Sequence, residues 1–163
     1  MENTEKGQYF LAVFRILVGW IMLFPFFDKM FGLGMQTPAG RGMIDGGSPS
    51  SLVDRVTGGI FEDFYLSLAG NQIVDVILML ALLVLGITLI LGISSKLSTI
   101  GISAFLLVMY SLHVPPEDNP LIDYRIILIF GMVAAYFLGG YDKLSLNSRW
   151  KETWLVKRFP IFE

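Results

Sequence analysis

Four stretches of this chain are apolar enough, for long enough, to cross a lipid bilayer, and almost no charge interrupts them. Residues 9–27 are broken only by Arg15, 73–93 by Asp75, 97–114 by His113, and 121–138 by Asp123 and Arg125. At about 1.5 Å of rise per helical residue each stretch is roughly 27 to 32 Å long, which matches a hydrocarbon core of about 30 Å. Charged residues make up 16% of the chain, where a soluble domain carries about a quarter. The pattern predicts an all-α fold: an integral membrane four-helix bundle forming one domain over residues 1–163. Glu2 and Glu5 in the leader, and the length of the first apolar run, favour a retained span over a cleaved signal peptide.

Basic residues set the expected orientation. Lys6, Arg15, Lys96, Lys143, Arg149, Lys151, Lys157 and Arg158 fall on one side of the four spans, and Lys29, Arg41, Arg55 and Arg125 on the other. Positive residues collect in cytoplasmic segments, so both termini are expected in the cytoplasm and the segment 28–72 outside the cell membrane. That long loop mixes Gly/Pro punctuation with periodic apolar residues (Leu52, Val53, Val56, then Ile60, Phe61, Phe64, Tyr65 and Leu68). The spacing predicts short interfacial helices capping the outer mouth. The tail 139–163, with Trp150 and Trp154 one turn apart among cations, reads as a cytoplasmic interfacial anchor.

The titratable chemistry gathers at the outer ends of the helices. Asp28 and Lys29 end the first, "GNQIVD" brings Asp75 into the start of the second, His113 ends the third, and "NPLIDYR" opens the fourth with Asn119, Asp123 and Arg125. Asn71 and Asn119 suit helix N-caps, and Pro120 suits a first helical position. Arg125 then lies about 7 to 8 Å into its helix, where it needs a partner. Asp123, two positions away, projects to a different side of a helix, so the expected partner is Asp75, Asp28 or a bound anion. "DGGSPSS" offers Gly46, Gly47 and Ser48 as a backbone nest for an anion, although the same residues are ordinary loop vocabulary. Arg15 is expected to snorkel to headgroups, and Trp20 to pack in the core. An intramembrane salt bridge and a dipole-paired histidine are the structural alternatives to a site at this mouth.

The chain has no cysteine and one histidine, which excludes thiol redox chemistry, iron–sulfur ligation and a bis-His haem. No metal site is expected. The ordered set "FRILVGWIMLFPFFDKMFGLG", "GGSPSS", "SLAGN" followed by "VD", and "PPEDNPLIDYRIILI" resembles the DoxX/DoxD family of small four-helix membrane proteins along nearly the whole chain. The resemblance implies oxidation of thiosulfate to tetrathionate with electrons passed to a membrane quinone, in company with a second, DoxA-like redox subunit that this chain does not contain. No family list of catalytic residues carries over.

For such a reaction the residues supply anion donors in Arg125, Lys29 and the 46–48 backbone, beside Asp28 and Asn119, and proton donors in His113, Asp75 and Asp123. The alternative is a non-catalytic membrane subunit or scaffold that docks a redox or sulfur-handling partner. A permeation protein has little support in four helices with so little room for a gated path. Expected partners are the lipid bilayer, the second subunit and another copy of the chain; Gly86, Gly92 and Gly131 permit close helix packing within one chain or between copies. No nucleic-acid partner is expected.

Overall fold

A computed structural model describes residues 2–51, 59–116, 119 and 121–162. Among these the chain is helical and carries no strand. Four helices form the body: α1 (Glu2–Phe31), α3 (Gln72–Leu91), α4 (Ser95–Ser111) and α5 (Tyr124–Phe137). Short α2 (Glu62–Leu68) lies in the long loop, and α6 (Asn147–Lys151) and α7 (Trp154–Arg158) form the tail, with 3₁₀ turns at Met43–Asp45 and Pro160–Phe162. The apolar part of the first expected loop helix, 52–56, lies outside the described residues, as do Glu117, Asp118 and Pro120.

Local chemistry explains the boundaries. α1 starts well before the first apolar residue because the polar leader joins it, with Glu2 and Glu5 in its first turn where the helix dipole favours them. It ends at Gly32, whose φ of 60° is the left-handed conformation that closes a helix, its N–H bonding the Asp28 carbonyl at 2.8 Å. Asn71 caps α3 by accepting the N–H groups of Ile73 and Val74 at 2.9 and 3.4 Å. α4 stops at Ser111, short of the expected 114, because Pro115 and Pro116 follow and disfavour helical backbone before them.

The fourth helix starts at Tyr124, not at 121. Asn119 does accept two backbone N–H groups, from Leu121 and Ile122 at 3.0 and 3.1 Å, but those residues are not helical. The cap is Asp123, which accepts from Arg125 N–H at 2.8 Å and Ile126 N–H at 3.4 Å.

α1 packs on α3 and α5, and α4 on α3 and α5, which closes a ring around Val18, Met22, Leu82, Leu89, Ile102, Leu106, Met132 and Tyr141. α1 and α3 meet almost backbone to backbone. A Cβ on Gly86 would lie 2.8 Å from Leu23 Cβ, and one on Gly19 would lie 2.8 Å from Ile90 Cγ1. Gly131 likewise seats the Phe14 ring. These small residues therefore serve packing inside one chain.

α1 and α3 are each long and apolar enough to cross a membrane, and only 28% of the most apolar window of either is buried inside the protein. A helix that is apolar on all sides yet mostly uncovered is not a soluble core helix. Trp20, expected in the core, belongs to this outward surface at 51% exposure, against Phe24. Its neighbours Gly19 and Val18 take the inward positions instead.

Candidate functional site

The alternating helices bring the end of α1, the starts of α3 and α5 and the end of α4 to one end of the molecule. Two buried carboxylates fasten the loop there. Asp28 accepts the N–H groups of Met35, Gln36 and Thr37 at 3.1, 3.0 and 2.7 Å, so the chain leaving α1 folds straight back across it. Asp75 accepts the Ser48 hydroxyl at 2.7 Å and the Ser50 N–H at 2.6 Å, which pins the same loop to the first turn of α3. Ser50 in turn accepts the Gly70 N–H at 3.0 Å. Each carboxylate is held by donors from neutral groups.

Arg125 therefore pairs with neither Asp75 nor Asp28. Its guanidinium makes an ion pair with Asp123 and lies 4.8 Å from the centre of the Tyr124 ring. The expectation assumed helical spacing between positions 123 and 125. Asp123 is instead the extended N-cap, with φ −119° and ψ 178°, so its side chain turns back over the first turn from which Arg125 departs.

Inside this end lies a cavity of about 420 Å³. Its walls are apolar and come from all four long helices: Met22 and Pro25, Leu78 and Leu82, Phe105, Leu106, Met109 and Leu112, and Leu128. Five polar side chains also line it: Lys29, Gln36, His113, Tyr124 and Arg125. The Lys29 ammonium donates to the Gln36 side-chain carbonyl at 3.0 Å. His113 Nδ1 lies 3.2 Å from the Met109 carbonyl. A carbonyl only accepts, so Nδ1 carries a proton in this contact. An apolar slot with a few convergent polar groups is the usual form of a small-molecule site.

A second cavity, of about 300 Å³, is lined by Lys29 and by loop residues of mixed character, charged (Arg41, Asp45), hydroxylic (Thr37, Ser48, Ser51) and apolar (Pro38, Pro49). Lys29 and Pro49 line both, and Arg41, Asp45, Gly46, Gly47 and Ser48 line the second alone. The glycines do not form the anticipated anion nest. Gly46 N–H bonds the Met43 carbonyl at 3.1 Å and Gly47 N–H the Gly42 carbonyl at 2.9 Å, which uses up both donors inside the loop.

Of the residues singled out in the sequence, Lys29, His113 and Arg125 thus share the apolar cavity, and Gly46, Gly47 and Ser48 share the second one with Lys29. Asp28, Asp75, Asp123 and Asn119 line neither and hold backbone in place. Sequence reasoning missed Gln36, Tyr124 and Arg41. Tyr124 carried a signal, as an aromatic next to a cation that needed company; Gln36 and Arg41 sit in loop sequence whose path depends on the Asp28 clamp. No family model, no curated protein and no solved structure matches this chain in the comparisons made.

Proposed function

We propose that the chain is a four-helix membrane bundle, with both termini cytoplasmic, that passes electrons from a small sulfur anion such as thiosulfate to a membrane quinone, alone or as the membrane subunit of a larger enzyme. The observation that carries this reading is the apolar cavity with cationic, hydrogen-bonding side chains in its wall. A quinone head needs flat apolar walls, here Met22, Leu82, Phe105 and Leu128, and donors for its carbonyl oxygens, here Arg125, Lys29 or Tyr124. Ile21 and Tyr124 line the cavity and are also exposed on the outer surfaces of α1 and α5, which supports entry of a lipid-soluble molecule from the side.

The reaction balances as two thiosulfate ions and one quinone, with two protons, giving tetrathionate and quinol. The sulfur–sulfur bond forms as two electrons pass to the quinone ring. His113 hydrogen-bonds through Nδ1 and has Nε2 free to relay a proton to a reduced oxygen. Arg125 stabilises the negative charge that appears on the ring before protonation.

A second reading has its own support. Outside the long helices the loop exposes Met35, Ile44, Ile60 and Phe64 at 73%, 64%, 74% and 59%. An apolar surface of that kind suits a docking partner, as expected of a membrane subunit working with a second redox protein.

The test is reduction of a soluble quinone analogue by thiosulfate with purified protein in detergent, beside Arg125→Ala shown to be folded by circular dichroism and gel filtration. Turnover in the wild type that falls at least about a hundredfold in the variant, as loss of a charge-stabilising donor does, supports the enzyme reading. Silence of the folded wild type, with turnover on adding a co-purifying partner, supports the subunit reading. Silence in every combination rejects both.

A further inference from the structure

We infer that the carboxy-terminal tail, from α6 to the final 3₁₀ turn, is a binding surface for anionic phospholipid headgroups in the leaflet that the termini face. The inference rests on the reading of this chain as a membrane protein and is independent of the redox chemistry. Trp150 and Trp154 were expected to act together as an interfacial anchor; in the folded tail they do different things. Trp150 is half-buried, and its indole N–H donates to the Phe162 carbonyl at 2.6 Å, which folds the last residues back on α6. Trp154 is 74% exposed. Val156 is buried, and a residue two positions away projects to the opposite side of a helix, so Trp154 faces outward. Lys157 and Arg158 follow Trp154 by three and four positions, which puts both cations on its side of α7. Phe159 and Ile161 are exposed just beyond, with the Arg158 guanidinium 6.0 Å from the centre of the Phe159 ring.

The charge of this surface has one sign. Arg149, Lys151, Lys157 and Arg158 are all exposed between Asn147 and Phe162, where Glu152 is the one acid. The neighbouring surface adds to them. The Leu146 N–H bonds the Leu91 carbonyl at 2.8 Å, so the tail departs from the end of α3, and α4 begins a few residues beyond with Lys96, Leu97 and Ile100 exposed. Asp142 is exposed nearby, while Lys6 and Lys143 at this end pair with Glu2 and Glu5. The positive excess therefore belongs to the tail and the start of α4.

With five residues each, α6 and α7 lie along a surface and cannot cross a bilayer. Tryptophan, phenylalanine and isoleucine beside lysine and arginine suit a boundary that is apolar on one side and anionic on the other. The rings settle at headgroup depth, and the long cationic side chains reach the phosphates. A zwitterionic leaflet would take the rings but give the cations little, since cations next to a membrane gain most against anionic lipid. Protein interfaces are depleted in lysine, whereas Lys151 and Lys157 are half of the tail's cations. An anionic lipid surface is the partner that uses both the rings and the charges.

The test uses the full chain in vesicles of equal parts phosphatidylcholine and phosphatidylglycerol, with bromine on the acyl chains of one lipid or of the other. Quenching at Trp154 is the part of the fluorescence loss that disappears in Trp154→Phe, and quenching at Trp20 is read from Trp20→Phe in the same way. Trp154 should be quenched at least about twofold more strongly by brominated phosphatidylglycerol than by brominated phosphatidylcholine. That preference should be lost in the triple variant Arg149→Gln, Lys157→Gln, Arg158→Gln, whose exposed positions leave its circular dichroism unchanged. Equal quenching by the two lipids in wild type, or a preference undiminished in the triple variant, overturns the inference. Quenching of Trp20 without any of Trp154 also overturns it and gives the surface to a soluble partner, with the membrane reading intact. Quenching of neither tryptophan rejects the membrane reading together with this one.

Discussion

The guanidinium of Arg15, in the middle of the first apolar helix, donates to the backbone carbonyl of Leu89 at the end of α3. It also reaches the carbonyls of Ile90 at 3.2 Å, Gly140 at 3.2 Å, Lys143 at 3.3 Å and Leu144 at 2.9 Å, and lies 5.2 Å from the centre of the Tyr141 ring. Arg15 is completely buried, not snorkelling toward headgroups. The last carbonyls of a helix have no partner of their own and carry the negative end of its dipole. One planar cation therefore ties α1 to the end of α3 and to the turn that follows α5. Gly92 leaves it room, since a Cβ there would lie 2.6 Å from Arg15 Nη1.

Replacing Arg15 should be among the most damaging single changes in this chain. Arg15→Met leaves several buried carbonyls without donors, and unsatisfied buried groups cost about 1 to 3 kcal/mol each. Arg15→Lys should rescue little, because a point donor cannot span acceptors on two segments. Thermal melting in detergent checks both, and a lysine variant within about 2 °C of wild type would refute the account of a planar staple.

The separation of Asp75 from Arg125 makes a second forecast. Exchanging the two charges, Asp75→Arg with Arg125→Asp, should rescue nothing, since each has its own partner. Asp75→Asn should release the loop locally, raising hydrogen exchange at the Ser50 amide at least tenfold and leaving exchange in α4 and α5 unchanged. Stability recovered in the charge-exchanged protein would show that the two side chains meet.

How far the sequence discloses this structure depends on the kind of interaction. The long apolar stretches at 73–93 and 97–114 announced α3 and α4 because hydrophobic runs and caps such as Asn71 act locally. The partners of Arg15, Asp28 and Asp75 were hidden because they are backbone groups, which carry no sequence signature and come within reach only after the helices pack. The Asp123–Arg125 pair is hidden for a related reason: helical spacing does not hold at a helix boundary, where the cap has extended backbone. Lys29, His113 and Arg125 were legible as one group because three helix ends on the same side must lie close together.

Tyr141 supplies a prediction in pH. Its phenol is buried, 3.0 Å from the Thr99 hydroxyl and 3.4 Å from that of Ser98. Burial pushes its pKa above the ordinary 10.0, although those hydrogen bonds and Arg15 pull the other way. The folded state thus holds the phenolic proton more tightly than the unfolded one, so this contribution is intact below pH 10 and is lost as pH rises through the folded value. Tyr141→Phe should lower stability by about 1 kcal/mol at neutral pH through the lost hydrogen bonds, and should melt with a shallower decline than wild type above pH 10. Parallel declines in the two proteins would contradict the assignment.

The most direct measurement of the central claim is photolabelling in membranes with a quinone analogue carrying an azide on its ring, followed by mapping of the labelled peptides. Labels between 105 and 113, at the end of α4 and just past it, and between 124 and 128 on α5, competed by excess unmodified quinone, are the result the cavity predicts. Labels that fall only on outward residues of α1 and α3, or that excess quinone does not displace, would contradict it.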